Sequence, residues 1–207
     1  NTKYGRVPTG WVWKKLGECC RTIGGTTPPT SVQEFWDGEH CWTSPKDLSG
    51  AKSPIMLDTE RKITDAGLAK ISSGLLPLNS VLMSSRAPIG YLSLTRIPVA
   101  INQGYIAITP ESNLSPYFMM SWIKHNLPLI EAYSSGTTFA EISKREFRKI
   151  PILVPPDELI EKFNETVAPL YDLLETKTKG FNQHQHLIHS LMSRLLSGQI
   201  VADSARS

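Results

Sequence analysis

The stretches Ser84-Ser85-Arg86-Ala87-Pro88-Ile89-Gly90 and Asn102-Gln103-Gly104 decide how this chain is expected to fold. Apolar runs flank them at residues 81–83, 91–94 and 99–101. Apolar, β-rich runs that are broken by Pro and Gly predict short strands joined by tight turns. A polar, cationic turn is therefore expected between strands of a small mixed sheet, which would hold its side chains rigidly.

The side chains in these turns have the chemistry that reads base edges in a DNA groove. Arg86 suits guanine, and Asn102 or Gln103 suits adenine, because each offers a matching pair of hydrogen bonds. Ser85 is a further polar candidate in the same turn. A purely structural role is the alternative, with Arg86 paired to a carboxylate and the turn serving only the fold.

Length and composition set the broad class of protein. A chain of 207 residues holds one ordinary domain plus an appendage. The sequence has no apolar run of 18 residues or more, and residues 1–6 do not read as a secretory signal. Cys19, Cys20 and Cys41 form no repeated Cys-x-x-Cys pair, so neither a disulfide framework nor a metal site is expected. A reducing cytoplasm is the expected location.

The charge is unevenly distributed along the chain. Residues 1–156 carry 17 Lys and Arg against 12 Asp and Glu, whereas residues 157–207 carry 5 against 7. The net charges are therefore +5 and −2. The first part is compatible with a polyanionic partner, and the second is not expected to be the main electrostatic surface.

Two loops before the predicted sheet are candidate DNA-backbone contacts. Residues 23–30, Ile-Gly-Gly-Thr-Thr-Pro-Pro-Thr, cannot form regular structure, and Gly brings backbone N–H groups close to a ligand. No Lys-Ser/Thr follows, so this is not a nucleotide P-loop. Its alternative is a structural turn. Lys46, after the Ser44-Pro45 turn, is either a phosphate contact or a solvated charge.

A second loop and a short basic helix are expected over residues 134–149. Thr137 lies in the small polar loop. Ser143 and Glu146 have the spacing of a capping box, which predicts a helix start at Lys144 and Arg145. Two more cations, Arg148 and Lys149, crowd this helix. A cationic helix start attracts phosphate, and a solvated helix face is the alternative.

From Asp157 the apolar residues recur at helical spacing to about residue 196, with a bend expected near Pro169. About 40 residues at ~1.5 Å each span about 60 Å. So long an apolar stripe cannot be buried on one small domain, so the helix is expected to pair as a coiled coil. The sequence thus predicts an α+β fold, with a globular domain over residues 1–156 and a long helical region over residues 157–207.

Several of these motifs occur in an order typical of one family. They are Gly24–Pro29, Phe35–Gly38, Trp42–Leu48, Ser84–Gly90, Asn102–Gly104, Ser135–Ser143 and Ile150–Pro156. Each motif alone is weak, but seven in order are specific. The chain resembles the specificity subunit of a type I restriction-modification system, as one target recognition domain plus one conserved helical spacer. The resemblance extends from about Gly10 to about Ile200.

The resemblance implies a DNA-binding protein that is not itself an enzyme. The globular domain would read one half of a bipartite double-stranded target, and the helix would dock methyltransferase and restriction subunits. S-adenosylmethionine, ATP and Mg²⁺ would be needed only in those partner subunits. The residues ranked for base contacts are Arg86, Asn102, Gln103 and Ser85, and those ranked for the DNA backbone are Lys46, Thr137, Lys144 and Arg145.

Whole specificity subunits of this family carry two recognition domains and two spacers. A chain with one of each is either a half-subunit that works as a homodimer through its C-terminal helix or a fragment of a longer chain. Two rival functions stay open. One is the recognition domain of a single-chain restriction-methylation enzyme, which methyltransferase motifs upstream would reveal. The other is a helix-mediated assembly protein with no DNA role, which would not bind DNA even at low salt.

Overall fold

The structure is a computed structural model that describes residues 7–111, 113–136 and 140–198. Within these residues it has ten strands. In chain order they are β1 (Val12–Lys15), β2 (Cys20–Ile23), β3 (Trp36–Thr43), β4 (Ile55–Met56), β5 (Arg61–Ile63), β6 (Val81–Ser85), β7 (Ile89–Thr95), β8 (Ala100–Ile101), β9 (Tyr105–Pro110) and β10 (Pro151–Val154).

The described residues also contain seven α-helices and one 3₁₀ turn at Gln33–Phe35. The helices are α1 (Leu16–Cys19), α2 (Pro45–Ser49), α3 (Asp65–Leu68), α4 (Pro116–His125), α5 (Leu127–Ala132), α6 (Lys144–Phe147) and α7 (Asp157–Leu196). Short helices and small sheets followed by one long helix confirm the predicted α+β class. None of these helices is both long enough and apolar enough to cross a bilayer.

A five-stranded sheet with the order β2-β9-β6-β7-β4 forms the centre of the domain. It is mixed, because β4 and β7 run parallel whereas the other neighbours run antiparallel. Strand β6 lies in the middle and every residue in it is buried. A strand that is covered on both faces reads as a continuous apolar run, which is why Val81-Leu82-Met83 was recognisable in the sequence.

Two smaller sheets accompany the central one, although the sequence predicted a single sheet. One has the order β5-β3-β8, and the other pairs β1 with β10. On the first, the buried rings of Trp36 and Trp42 meet edge to face at 5.1 Å, and the Arg61 guanidinium stacks 3.5 Å from the Trp36 centroid. Strand β3 was not predicted, because Gly38 and His40 interrupt the alternation that identifies a strand.

Helix α4 covers one face of the central sheet. Ser115 caps it by accepting a hydrogen bond from the N–H of Phe118 at 3.1 Å, and Pro116 occupies the first turn, as predicted. Met119 and Ile123 are fully buried in the main apolar core. The sheet and α4 therefore form the two packed layers that support the polar loops.

The long helix α7 begins at Asp157, directly after β10, and includes Pro169. Its first part packs on the domain: Ile160 is buried, Phe163 meets Phe118 at 6.0 Å, and Tyr171 meets Tyr117 at 4.8 Å between ring centroids. The predicted helix is confirmed. Its pairing as a coiled coil stays a prediction, as does the division of the chain into units 1–156 and 157–207.

Candidate nucleic-acid interface

Five polar segments that are distant in the sequence meet at one surface, which we call the loop surface. It consists of Gly24–Thr27, Ser44–Lys46, Ser85–Pro88, Asn102–Gly104 and Glu141–Arg145. All the predicted contact residues except Thr137 lie within these segments. Thr137 lies outside the residues that the structure describes.

The glycine-rich loop lies directly against the turn that follows β8. The N–H of Thr26 donates to the carbonyl of Ile101 at 2.9 Å, and the Thr27 hydroxyl donates to Oε1 of Gln103 at 2.7 Å. A Cβ on Gly25 would lie 1.8 Å from the Ile101 carbonyl oxygen. The close approach of the two loops therefore requires glycine at position 25.

The Ser44–Lys46 segment is attached to the same turn from the other side. The N–H of Asn102 donates to the carbonyl of Thr43 at 3.1 Å, and the Tyr105 hydroxyl donates to the carbonyl of Ser44 at 2.7 Å. Burial raises the pKa of the Tyr105 phenol, so it stays a neutral donor. A Cβ on Gly104 would lie 2.9 Å from the Pro45 ring.

Ser85 supports the loop surface from beneath. Its N–H and its hydroxyl both donate to the Gly104 carbonyl, at 2.8 and 3.1 Å, and its own carbonyl accepts from the N–H of Ile142 at 3.0 Å. The residue is only 3% exposed. In this conformation the side chain is enclosed and serves the fold, and a contact from Ser85 to a base stays a prediction.

Arg86 is exposed at the tip of the turn between β6 and β7. Its Nη1 lies 3.6 Å from Oε2 of Glu141, and both side chains are about half exposed, at 44% and 48%. The carboxylate alternative considered for Arg86 is therefore present. An exposed pair of this kind is worth only about 0–1 kcal/mol, so it orients the guanidinium without locking it.

The two amide side chains use their oxygen atoms within the protein. Oδ1 of Asn102 accepts from the N–H of Gly104 at 2.8 Å, and Oε1 of Gln103 accepts from Thr27 at 2.7 Å. Asn102 is half-buried, whereas Gln103 is exposed. A bidentate contact to adenine would require the amide oxygen as well as the nitrogen, so these residues offer a base their NH₂ groups first.

Lys46, Lys144 and Arg145 are exposed cations on the loop surface. A Cβ on Gly24 would lie 3.0 Å from Nζ of Lys144, so the lysine tip lies against the glycine-rich loop. Arg145 is 84% exposed and makes one ion pair, with its Nε 3.2 Å from Oε1 of Glu146. These cations are placed where an approaching polyanion would meet them.

The short basic helix differs in two respects from the sequence prediction. Ser143 accepts a hydrogen bond from the N–H of Glu146 at 3.2 Å, but the Glu146 carboxylate binds Lys149 at 2.8 Å instead of completing the box. The Lys149 ammonium lowers the pKa of this carboxyl. Arg148 remains exposed, but its Nε donates to the Thr22 hydroxyl at 2.6 Å. It therefore joins α6 to β2.

Sequence reasoning did not single out Thr27 and Glu141, the residues that hold Gln103 and Arg86. Both lie inside quoted motifs, but only the fold brings them to their partners, across 76 residues for Thr27 and Gln103. Among the described residues, no group of three or more His, Cys, Asp or Glu side chains is arranged to hold a metal ion.

The family model described as "Type I restriction modification DNA specificity domain" matches residues 8–184. The chain belongs to this family. It is 30% identical to the type I restriction enzyme MjaIX specificity subunit of Methanocaldococcus jannaschii, over 86% of this chain and 42% of that protein. It is 26% identical to the HindI specificity subunit of Haemophilus influenzae, over 94% of this chain and 42% of that protein. The chain therefore spans less than half the length of these curated relatives.

Two solved structures share the fold. One comes from work on complex assembly and conformational transition of the type I R-M system; it has a TM-score of 0.65 and 19% identity, and the match covers 95% of this chain and 47% of that chain. The other is the HsdS subunit of Thermoanaerobacter tengcongensis, with a TM-score of 0.61 and 19% identity over 86% of this chain and 42% of that chain. The family model and the curated relatives confirm the predicted family, and these two structures share its fold.

Replacing Gly25 tests whether the close approach of two loops holds the loop surface together. We expect Gly25→Ala to lower the free energy of unfolding by about 2–3 kcal/mol, because the added Cβ collides with backbone that cannot move alone. Urea denaturation measures this. Gly50→Ala is the matched control, since a Cβ there meets nothing within 4 Å. Equal, small changes in both variants would contradict the assignment.

Proposed function

We propose that the loop surface binds one half of a bipartite duplex DNA target, and that the chain is the DNA-reading part of a type I specificity subunit. The observation that carries this proposal is the convergence of five polar segments into one hydrogen-bonded surface with four exposed cations. These cations are Lys46, Arg86, Lys144 and Arg145. Family membership supports the same proposal.

Lys46, Lys144 and Arg145 would contact phosphates. Exposed ammonium and guanidinium groups bind the DNA backbone by releasing its condensed counterions, which gives affinity and orientation but no sequence information. Lys144 is adjacent to the glycine-rich loop, whose backbone lies close to the same surface. These contacts would hold the duplex in register for the residues that read bases.

Arg86 would be the main base reader. In the free protein Glu141 holds its guanidinium at the surface, and exchange of this exposed pair for a guanine edge costs little. The guanidinium then presents a planar fork that matches O6 and N7 of guanine. Gln103, and secondarily Asn102, would donate their amide NH₂ groups to acceptors in the groove.

The long helix would link this domain to a second one. Apolar side chains along α7 remain between 40% and 56% exposed at spacings of three to seven residues, namely Leu170, Leu174, Phe181, Ile188, Leu191 and Leu195. A continuous apolar stripe of this kind needs another helix to cover it. We propose that two such helices pair as a spacer, and that two copies of the chain or a second domain of a longer chain supply the other half of the reader.

The chemistry would belong to partner subunits. A methyltransferase that uses S-adenosylmethionine and a restriction subunit that uses ATP and Mg²⁺ would dock on the assembly. In this division of labour, the chain supplies binding energy and sequence selection and catalyses no step itself.

Arg86→Ala tests base reading. We expect it to weaken binding to the target by about 1–3 kcal/mol and to relax selectivity at one base pair, because a bidentate contact is lost. The measurement is selection from randomised duplexes by the chain in complex with its methyltransferase subunit. Arg86→Lys keeps the charge but not the fork, so it should lose the same selectivity. Equal loss on every sequence would contradict a reading role for Arg86.

Lys144→Ala tests backbone contact. We expect it to weaken binding to all sequences alike and to reduce the slope of log affinity against log salt by about one unit, because one phosphate contact is lost. Lys162→Ala is the control: it removes the same charge from α7, where Lys162 pairs only with Glu158 among the described contacts. An unchanged salt slope for Lys144→Ala would remove this lysine from the interface.

A further inference from the structure

Arg96 joins the domain to α7 by contacting two carboxylates of the helix. Its Nη2 lies 3.0 Å from the Asp172 carboxylate, and its Nε lies 3.0 Å from the Glu175 carboxylate. The two acids are three residues apart, so they share one face of α7. The Arg96 side chain is 13% exposed and Glu175 is 22% exposed, so this enclosed pair is screened less than a surface pair, whereas Asp172 is 69% exposed and faces solvent.

The domain holds the other side of the same guanidinium. Nη1 of Arg96 donates to Oδ1 of Asn79 at 2.5 Å, and Nη2 lies 3.4 Å from the Tyr117 hydroxyl. The backbone is fixed as well, because the N–H of Arg96 donates to the Met56 carbonyl at 3.0 Å. A planar, five-donor fork is the side chain suited to bridge partners on several sides at once.

Strand β7 connects Arg96 to the turn that carries Arg86, which we call the reading turn. Strand β7 starts at Ile89, directly after the Arg86 turn, and ends at Thr95, directly before Arg96. Seven strand residues at ~3.3 Å each span about 20 Å. At the start of this strand, the Ser84 hydroxyl donates to the Pro88 carbonyl at 2.7 Å and accepts from the N–H of Tyr91 at 2.8 Å. One hydrogen-bonded strand therefore connects the reading turn to the helix contact.

We propose that Arg96 is a positioning residue that fixes the angle between the domain and α7, and that this angle sets the half-site separation that the assembled protein accepts. The second part rests on the proposed function. Helix α7 has 40 residues, about 60 Å at ~1.5 Å each. Its last 21 residues, after Glu175, span about 32 Å, so a rotation of about 10° at the Arg96 contact moves the far end by about 6 Å, which exceeds the ~3.4 Å rise of one base pair.

The neighbouring contacts explain why one residue carries this role. On the C-terminal side of the Arg96 contact, the described contacts between α7 and the domain include one hydroxyl pair, Ser53 with Thr178 at 2.7 Å. They also include Lys52, whose Nζ lies 5.2 Å from the centre of the Phe181 ring. On the N-terminal side of the contact, aromatic rings of α7 pack against rings of α4. Aromatic packing has little directional preference. The Arg96 guanidinium fixes direction because it donates from Nη2 to Asp172 and from Nη1 to Asn79, and it also forms an ion pair with Glu175. Arg96 therefore controls the tilt of the helix more than its attachment.

The first test measures the angle itself, without DNA. Spin labels are attached at Ser31→Cys in the domain and at Gln185→Cys in α7, in a Cys41→Ser background. Pulsed electron paramagnetic resonance then measures the distance between the two labels. The labelled chain is mixed with an excess of unlabelled chain so that distances within one copy dominate. We expect one narrow distribution in the parent and about a twofold broader one in Arg96→Met, because the fork that fixes direction is lost. An unchanged distribution overturns the proposal.

Two further variants keep this test decisive. Lys162→Ala should leave the distribution unchanged, because its ion pair with Glu158 lies within α7. Asp172→Asn combined with Glu175→Gln removes the charges from the helix side and leaves Arg96 in the domain. This double variant should broaden the distribution as Arg96→Met does, even if Arg96→Met itself fails to fold.

The second test measures half-site separation. The chain, in complex with its methyltransferase subunit, is offered duplexes that carry the same half-sites at the native separation or one base pair shorter or longer. The measured quantity is the rate of methylation of each duplex. We expect the parent to methylate the duplex with the native separation about tenfold faster or more, because small misplacements are costly in catalysis. Arg96→Met should lose most of that preference. A preserved preference in Arg96→Met overturns the second part of the proposal. If the parent methylates no duplex, the proposed function fails, whereas the spin-label result still decides the role of Arg96.

Discussion

The loop surface depends on the hydrogen bonds that converge on the Asn102–Gly104 turn. The Gly104 carbonyl accepts two hydrogen bonds from Ser85, and the Asn102 side chain closes the turn by accepting from the Gly104 N–H. The glycine-rich loop and the Ser44 segment attach to the two sides of this turn. Buried backbone groups must be paired, so these bonds fix where each segment lies. The exposed cations and amides are then presented from a surface that is already ordered.

Much of the fold was predictable because its strongest elements have strong local signals. The buried run of β6, the Ser-Pro start of α4 and the repeating apolar residues of α7 each identify one element from sequence alone. Strand β3 was missed, because its partners lie far along the chain and its residues lack clean alternation. The division into three sheets depends on such distant pairings, which no local window contains.

The segments of the candidate site were predictable as loops, but their contacts with one another were not. Motif order pointed to segments that the structure brings together at one surface, because Gly, Pro and small polar residues mark loops wherever they occur. The roles of individual side chains were harder to assign, since they depend on burial. Ser85 and Arg148 have polar groups suited to DNA, yet one lies beneath the surface and the other turns toward Thr22. Thr27 and Glu141 gained roles only from partners that the fold brings to them.

The domain and the long helix are connected through strand β7. Strand β7 has the reading turn at one end and the Arg96 contact with α7 at the other. The same hydrogen-bonded strand that positions Arg86, the proposed base reader, therefore also connects it to α7, the proposed spacer. In this arrangement, sequence selection within a half-site and selection of the distance between half-sites would be separable properties of different residues.

The most direct test of the central claim is a methylome. The chain is co-expressed with its methyltransferase subunit, and the host DNA is sequenced for N6-methyladenine. The account predicts one methylated motif that is split into two half-sites by a spacer of fixed length, palindromic if two copies of this chain form the reader. The absence of any methylated motif, although the two proteins form a soluble complex, would contradict the claim that this chain reads DNA for a methyltransferase.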